Sequence, residues 1–250
     1  MTYMNNVSTT IDIEVVAEDA IFISWPEQVA ISTNEQVAFI AKQLSTKYQD
    51  EILDIIVSYC SLMILLDLTK TKFWPTSKQI HLDIEQWHTQ YYSADTKTAL
   101  SGKTVHIDVY YSIESGWDMA RAVKSTGLSI AQIIALHTAT TYRVFANGFT
   151  PGFSYLGIVD PQLQLPRLAT PRTLVPQGAV AIAEQQTAIY PKATPGGWHI
   201  LGQSAQPLLI GDRFAQTPLL SVGDTVQFRS IDFETFVAQG GVVAHNPTLT

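Results

Sequence analysis

The chain has 250 residues, 46% of them hydrophobic and 15% charged, with 15 Lys plus Arg against 22 Asp plus Glu and a formal net charge of -7. This is core material for one large domain or two small ones, and the acidic balance without any Lys/Arg-rich run argues against a nucleic-acid partner. A single cysteine, Cys60, excludes an internal disulfide; in its apolar, strand-like run it reads as a buried thiol and fits a reducing compartment.

In chain order, Ile11, Ile13 and Val15 alternate with polar residues, and residues 20–24 follow as a second strand. Thr33 and Gln36 have capping-box spacing, and Val37, Ile40, Ala41, Leu44 and Tyr48 then recur along one helix face. Residues 52–57 and 62–68 read as a strand pair, and 77–92 as a second helix. A small sheet with two helices over residues 1–95 predicts an α+β, ferredoxin-like domain that departs from that pattern at its start. The polar stretch 93–103 is the linker candidate.

A second domain over 104–250 opens with a strand at 105–110. Ser115 and Asp118 are read as capping a helix that carries Met119, Ala120 and Val123; Ser129 and Gln132 as capping another that carries Ile133, Ile134 and His137. From Tyr142 the chain breaks into short strands punctuated by Gly and Pro, at 142–146, 179–183, 187–190, 199–201, 207–210 and 225–230. Such a pattern predicts a barrel or sandwich. No basic segment leads into an apolar one at the N-terminus, and the longest apolar run, 62–66, is too short to span a bilayer. A soluble cytoplasmic chain without a membrane partner is expected.

The densest Gly, Pro, Arg and aromatic sequence lies between Phe145 and Gly202: GFTPGFSYLG (148–157), LPRLATPRTLVPQG (165–178) and IYPKATPGGW (189–198). Pro fixes φ and Gly opens positive φ, so such loops hold shapes suited to a site. Arg167 and Arg172 stand five apart in a Pro-braced loop, and each guanidinium suits a carboxylate, a phosphate or an internal salt bridge. Phe149, Phe153 and Tyr155 either wall the same pocket or pack internally. Gly148 and Gly152 allow close backbone approach or aim N–H groups at an anion. His199, after the Gly196-Gly197-Trp198 turn, is the better histidine candidate; His137 is structural or catalytic. The six histidines form no HExxH and no ligand cluster, so no metal site is predicted. GxxxxGK[ST], GxGxxG and GxSxG are absent. Ser154 and Ser204 lack a nucleophile context, and Asp212 and Asp224 sit in turns. The catalytic residues stay unassigned, and the reading is a loop surface that binds a small molecule or peptide, as in one part of a multi-part enzyme.

Residues 109–137, YRVFANGFTPGFSYLG, LPRLATPRTLVPQGAVAIAEQQTAIYPKATPGGWHILG and LLSVGDTVQF, in that order, resemble the bacterial 5-oxoprolinase B-component family, also called the allophanate hydrolase subunit 1 family. The same family includes a sporulation inhibitor of histidine kinase autophosphorylation. The resemblance implies an α+β domain followed by a mainly β, cyclophilin-like barrel. It implies one member of a hetero-oligomer that works with a C-like protein of related fold and an A-like protein. Together they cleave 5-oxo-L-proline to L-glutamate, with ATP used at the level of the complex. Phosphorylating the lactam oxygen would prepare the ring for opening by water, and the substrate carboxylate and any phosphorylated species both want Arg or backbone N–H partners. The resemblance points to Arg167 and Arg172, with Gly152, Tyr155, Gly197, Trp198 and His199 close by. Replacing Arg167 or Arg172 with Ala is expected to abolish turnover and leave the fold intact. Alternative roles within the resemblance are inhibition of a histidine kinase, and an accessory role in an allophanate- or urea-type amidohydrolase. The chain also departs from the family pattern. Leu201-Gly202-Gln203-Ser204 stands where the family has IGRT, which puts Gln203 at a family Arg. Gly116-Trp117-Asp118-Met119 replaces GPDL, and Trp25-Pro26 replaces a Gly-containing turn.

Overall fold

The computed structural model describes residues 11–26, 29–93, 102–212 and 215–246, with the side chains of 92 and 93 excepted. Most of the 93–103 linker candidate lies outside these residues. The chain divides into two compact units, 1–101 and 102–250.

In the first unit the order is β1 (Asp12–Val15), β2 (Ala20–Ser24), α1 (Ile31–Lys47), β3 (Ile52–Val57), β4 (Ser61–Leu66) and α2 (Phe73–Ser93). The strands form an antiparallel sheet in the order β1-β2-β4-β3. A βαββαβ unit places its fourth strand after the second helix; here an edge strand comes first, so the chain order is ββαββα. Ile21, Ile23, Leu62 and Ile64 pair across β2 and β4 and pack with Val37, Ile40, Leu44, Ile80 and Ile84 of the helices. Period 2 on the strands and period 3.6 on the helices thus meet in one core.

Two local expectations fail here for tertiary reasons. The Thr33–Gln36 capping box does not form: α1 follows Ala30, which carries no side-chain cap. Gln36 is buried instead, its Oε1 accepting from Trp25 Nε1 at 2.6 Å and its Nε2 donating to His88 Nδ1 at 2.8 Å. Water can cap a helix end but cannot reach a buried indole N–H, so the interior takes the glutamine. Cys60 sits in the turn between β3 and β4 and is half-buried, not buried. The second strand of the pair stops at Leu66 because the Asp67 carboxylate accepts from the Thr69 N–H and hydroxyl, folding the chain into a turn.

The second unit contains β5 (Thr104–Tyr110), α3 (Met119–Thr126), α4 (Ile130–Ala139), β6 (Thr141–Asn147), β7 (Ser154–Gly157), a 3-10 turn (Pro161–Leu163), β8 (Arg172–Val175), β9 (Ala179–Ala183), β10 (Gln186–Ile189), β11 (Thr194–Gly196), β12 (His199–Gln203), β13 (Leu209–Ile210), β14 (Thr217–Pro218), β15 (Thr225–Ile231) and α5 (Phe233–Ala238). Seven strands close into a barrel, β10-β7-β6-β15-β5-β12-β9, with β9 pairing back to β10. The β15–β5 pair is parallel and the others are antiparallel. Of the barrel or sandwich expected, the chain forms the closed barrel. β7, β8 and β11 run through segments that read as Gly/Pro loops.

β9 is buried on both faces. Val180 and Ile182 belong to the barrel interior, whereas Ala179, Ala181 and Ala183 lie under a second layer that includes Phe153, Tyr190 and Trp198. Small residues on one face of the strand leave room for the rings. Ring centroids separate Phe153 from Tyr155 by 5.0 Å, from Tyr190 by 5.4 Å and from Trp198 by 6.0 Å, edge-to-face contacts within the attractive range.

The Ser129–Gln132 capping box at the start of α4 is present as expected. α4 carries His137 into the core, fully buried and stacked on Phe228 at 4.6 Å. The Thr187 hydroxyl donates to the Ala181 carbonyl at 3.1 Å, so its oxygen is the acceptor for His137 Nε2 at 3.0 Å. Nδ1 then carries the lone pair that accepts from the Tyr111 hydroxyl at 2.7 Å. Both ring nitrogens are satisfied by a neutral imidazole, and burial pushes the pKa down to about 3.

Candidate functional site

The surface of the second unit carries an open groove of ≈ 1070 Å³ between α3 and the segment 164–169. α3 has Met119 and Ala122 in the core and places Arg121 and Lys124, one turn apart, on the groove. The facing segment brings Arg167. Its backbone is fixed at three points: Leu168 N donates to Gly197 O at 2.8 Å, Glu184 N to Leu165 O at 2.6 Å, and His199 Nε2 to Pro166 O at 2.8 Å. Arg167 is exposed and lies over the Trp198 ring, 5.8 Å from its centroid. Among the described lining residues there is no Asp or Glu. Three cations therefore converge in a chain whose net charge is -7.

A second depression of ≈ 380 Å³ adjoins it, sharing Arg121, Leu168 and Ala169 and adding Thr170 and Arg172. Arg172 opens β8 and stacks over Trp117 at 5.8 Å. Its Nη2 donates to Asp118 Oδ1 at 2.7 Å, while Nη1 has no hydrogen-bond partner. Asp118 is only 1% exposed. It accepts from Ile200 N at 2.9 Å through Oδ2 and lies 3.6 Å from Arg121 Nε through Oδ1. Asp118 stands at the start of α3 as the spacing predicts, but its side chain makes no capping bond. The reason is the competing guanidinium: a carboxylate shut away from water is worth more to Arg172 than to a helix end. Ser115 likewise turns from α3 and donates to Tyr110 O at 2.7 Å.

Gly116 makes this arrangement possible. A Cβ there would lie 2.3 Å from the Leu201 carbonyl oxygen, because the turn before α3 is pressed against β12 through the Asp118 N to Ile200 O bond of 3.0 Å. Gly116→Ala is expected to destabilise the chain by about 2 kcal/mol or more through backbone displacement, seen as a lower midpoint in urea. A midpoint unchanged from the parent would show that the turn yields freely.

The residues singled out from sequence separate into two groups. Arg167, Arg172 and His199 border the two depressions. Trp198 and Gly197 stand behind Arg167, one as a ring platform and one as the carbonyl that pins Leu168. Tyr155 joins the aromatic layer with Phe153 and Trp198 and does not line the groove. Gly152, with φ 82, turns the hairpin between β6 and β7 against Leu208 and Leu209; neither it nor Phe149 reaches the cations, so a common pocket does not form. Position 197 is not the glycine that sterics require. A Cβ there meets only ordinary contacts, whereas at Gly196 it would lie 2.4 Å from the Tyr190 hydroxyl. His199 is buried with Nδ1 unpartnered and shielded, so its role in this geometry is to hold Pro166. Gln203 lies elsewhere, donating to Gln177 O at 3.1 Å and accepting from Ala244 N at 3.2 Å. Arg121 and Lys124 were not among the residues singled out. The signal for Arg121 was its i,i+3 spacing from Asp118. Among the described residues no group of three or more His, Cys, Asp or Glu could hold a metal, and no helix is long and apolar enough to cross a membrane.

Fold and groove together define a protein of an α+β unit and a closed barrel with a surface suited to anions. Residues 11–220 match the family model described as "Carboxyltransferase domain, subdomain C and D". The chain is 33% identical over 213 residues to the B component of 5-oxoprolinase from Haemophilus influenzae, covering 85% of this chain and 94% of that relative. It is 44% identical over 125 residues to the corresponding 5-oxoprolinase component of Escherichia coli O157:H7, covering 50% and 56%. The crystal structure of TTHA0988 superposes with a TM-score of 0.72 at 30% identity, over 92% of this chain; the match spans 41% of that longer chain. The chain belongs to the bacterial 5-oxoprolinase B-component (allophanate hydrolase subunit 1) family.

Proposed function

We propose that this chain is the B component of an ATP-dependent 5-oxoprolinase, cleaving 5-oxo-L-proline to L-glutamate in the cytoplasm together with C-like and A-like partner proteins. The observation that carries the reading is the convergence of Arg121, Lys124 and Arg167 on one groove with Arg172 beside it, in a chain whose relatives are named for that activity. A lactam is a weak electrophile. Opening it with ATP passes through anions, the substrate carboxylate and a phosphoryl group, and guanidinium and ammonium groups in a partly enclosed groove stabilise both. The groove suits the phosphates of a nucleotide, but among its described lining residues none is Phe, Tyr or Trp to stack on adenine. ATP is therefore assigned to the complex and not to this chain alone.

The test is ATP-dependent glutamate release by the chain combined with its C-like and A-like partners. Arg167→Ala is expected to lower kcat/KM about 10- to 100-fold, the worth of one charge-assisted contact, with an unchanged melting temperature because the side chain is exposed. Arg172→Ala is the poorer test: it strands the buried Asp118 carboxylate, so the fold is not expected to stay intact. Full turnover by the Arg167 variant would remove the groove from the site. Recovery of a histidine kinase from lysate, with no turnover by the full set of components, would replace the enzymatic reading by the inhibitory one.

A further inference from the structure

We infer that the groove and its neighbour form one binding site for a ligand with two anionic ends, a phosphate-like group in the larger depression and a carboxylate in the smaller. Arg121 serves both. This deepens the anion-site reading above by naming the ligand class, and it rests on that site without requiring the 5-oxoprolinase reaction.

Three observations lead to it. The two depressions are contiguous, sharing Arg121, Leu168 and Ala169. Their cations differ in kind. In the larger, Arg121, Lys124 and Arg167 are all exposed and adjustable, as a tetrahedral group with three oxygens to satisfy requires. In the smaller, Arg172 lines the depression with a side chain only 14% exposed, held rigid between Trp117 and Asp118. A fixed, planar donor of that kind suits a small planar acceptor such as a carboxylate. Finally, the local charge balance allows two anions. Among the described residues the only carboxylate contacting these cations is Asp118. It is buried and offsets one positive charge, leaving a net surplus across the pair.

Two weak subsites joined by a short linker reinforce each other, since the second contact forms at high effective concentration. The experiment is calorimetric titration of the full chain with phosphonoacetate and 3-phosphonopropionate, which carry both groups, and with methylphosphonate and acetate, which carry one each. At least one bis-anion is expected to bind about 10-fold or more tightly than either mono-anion. Arg121→Ala is expected to abolish most of that advantage. Arg167→Ala is expected to weaken methylphosphonate and the bis-anions by a common factor while leaving acetate unchanged. Both side chains are exposed, so the variants should melt with the parent. Equal affinities for mono- and bis-anions, no binding at all, or an advantage that survives Arg121→Ala would each overturn the proposal. The two readings fail separately. A preference for bis-anions without turnover by the assembled components sinks only the 5-oxoprolinase assignment, and turnover without that preference sinks only this one.

Discussion

Asp118→Ala is expected to cost about 3 kcal/mol of folding stability, the range found when one partner of a buried ion pair is removed. The carboxylate is almost wholly enclosed, and its loss strands the Arg172 guanidinium, whose side chain is only 14% exposed. The Ile200 N–H also loses its acceptor. Arg121 suffers less, being 60% exposed and free to turn to water. The check is urea unfolding of Asp118→Ala, Arg172→Met and the double variant. The double variant should regain a substantial part of the loss, because two apolar groups leave no charge unpaired. A single Asp118→Ala variant within about 0.5 kcal/mol of the parent, the size of an ordinary surface change, would show that the pair does not organise this region. The same variant bears on function, since Arg172 would no longer be held against Trp117.

The second large effect is acid sensitivity arising from His137. In the unfolded chain the imidazole titrates near 6.5; in the barrel core burial pushes it down to about 3. The folded form therefore binds fewer protons than the unfolded form between those values. The stability contribution is complete above pH 6.5 and is lost as pH falls from there toward 3. Each unit in that window removes about 1.4 kcal/mol, so roughly 2 kcal/mol is gone by pH 5. His137→Gln keeps polar atoms near Tyr111 and Thr187 but does not titrate. It is expected to be less stable than the parent at pH 8, and the gap should narrow as pH falls. Parallel pH profiles for the two proteins would mean that His137 titrates normally and that the core admits its charge.

Much of the architecture was legible because it rests on local regularities. The alternation of Ile13 and Val15, the strand run Ala20–Ser24, the apolar face through Val37, Ile40 and Leu44, the Ser129–Gln132 box and the run Ala179–Ala183 all appear where their patterns place them. β7, β8 and β11 were not legible. They are three to four residues long, and their Gly and Pro content argues for loops when partners are unknown. α5 was missed for the related reason that six residues hold less than two turns of pattern, although Asp232 does cap it by accepting from Thr235 N at 2.8 Å.

The site divides in the same way. Family resemblance and the concentration of Arg, Gly and Pro pointed to the segment 165–178, and Arg167 and Arg172 do border the two depressions. Arg121 and Lys124 looked like ordinary helix-surface charges, because nothing in an 8-residue helix reveals what lies opposite it. By itself, then, the sequence determined the types of the longer elements, the division into an α+β part and a mainly β part, and the family, since all of these are carried by periodicity and by long ordered segments. Only the tertiary structure decided the strand order of the barrel, that Gln36 serves a buried indole, and that Asp118 serves an arginine 54 residues away. Polar side chains removed from water take whichever partner the packed interior supplies, and that partner is set by distance in space.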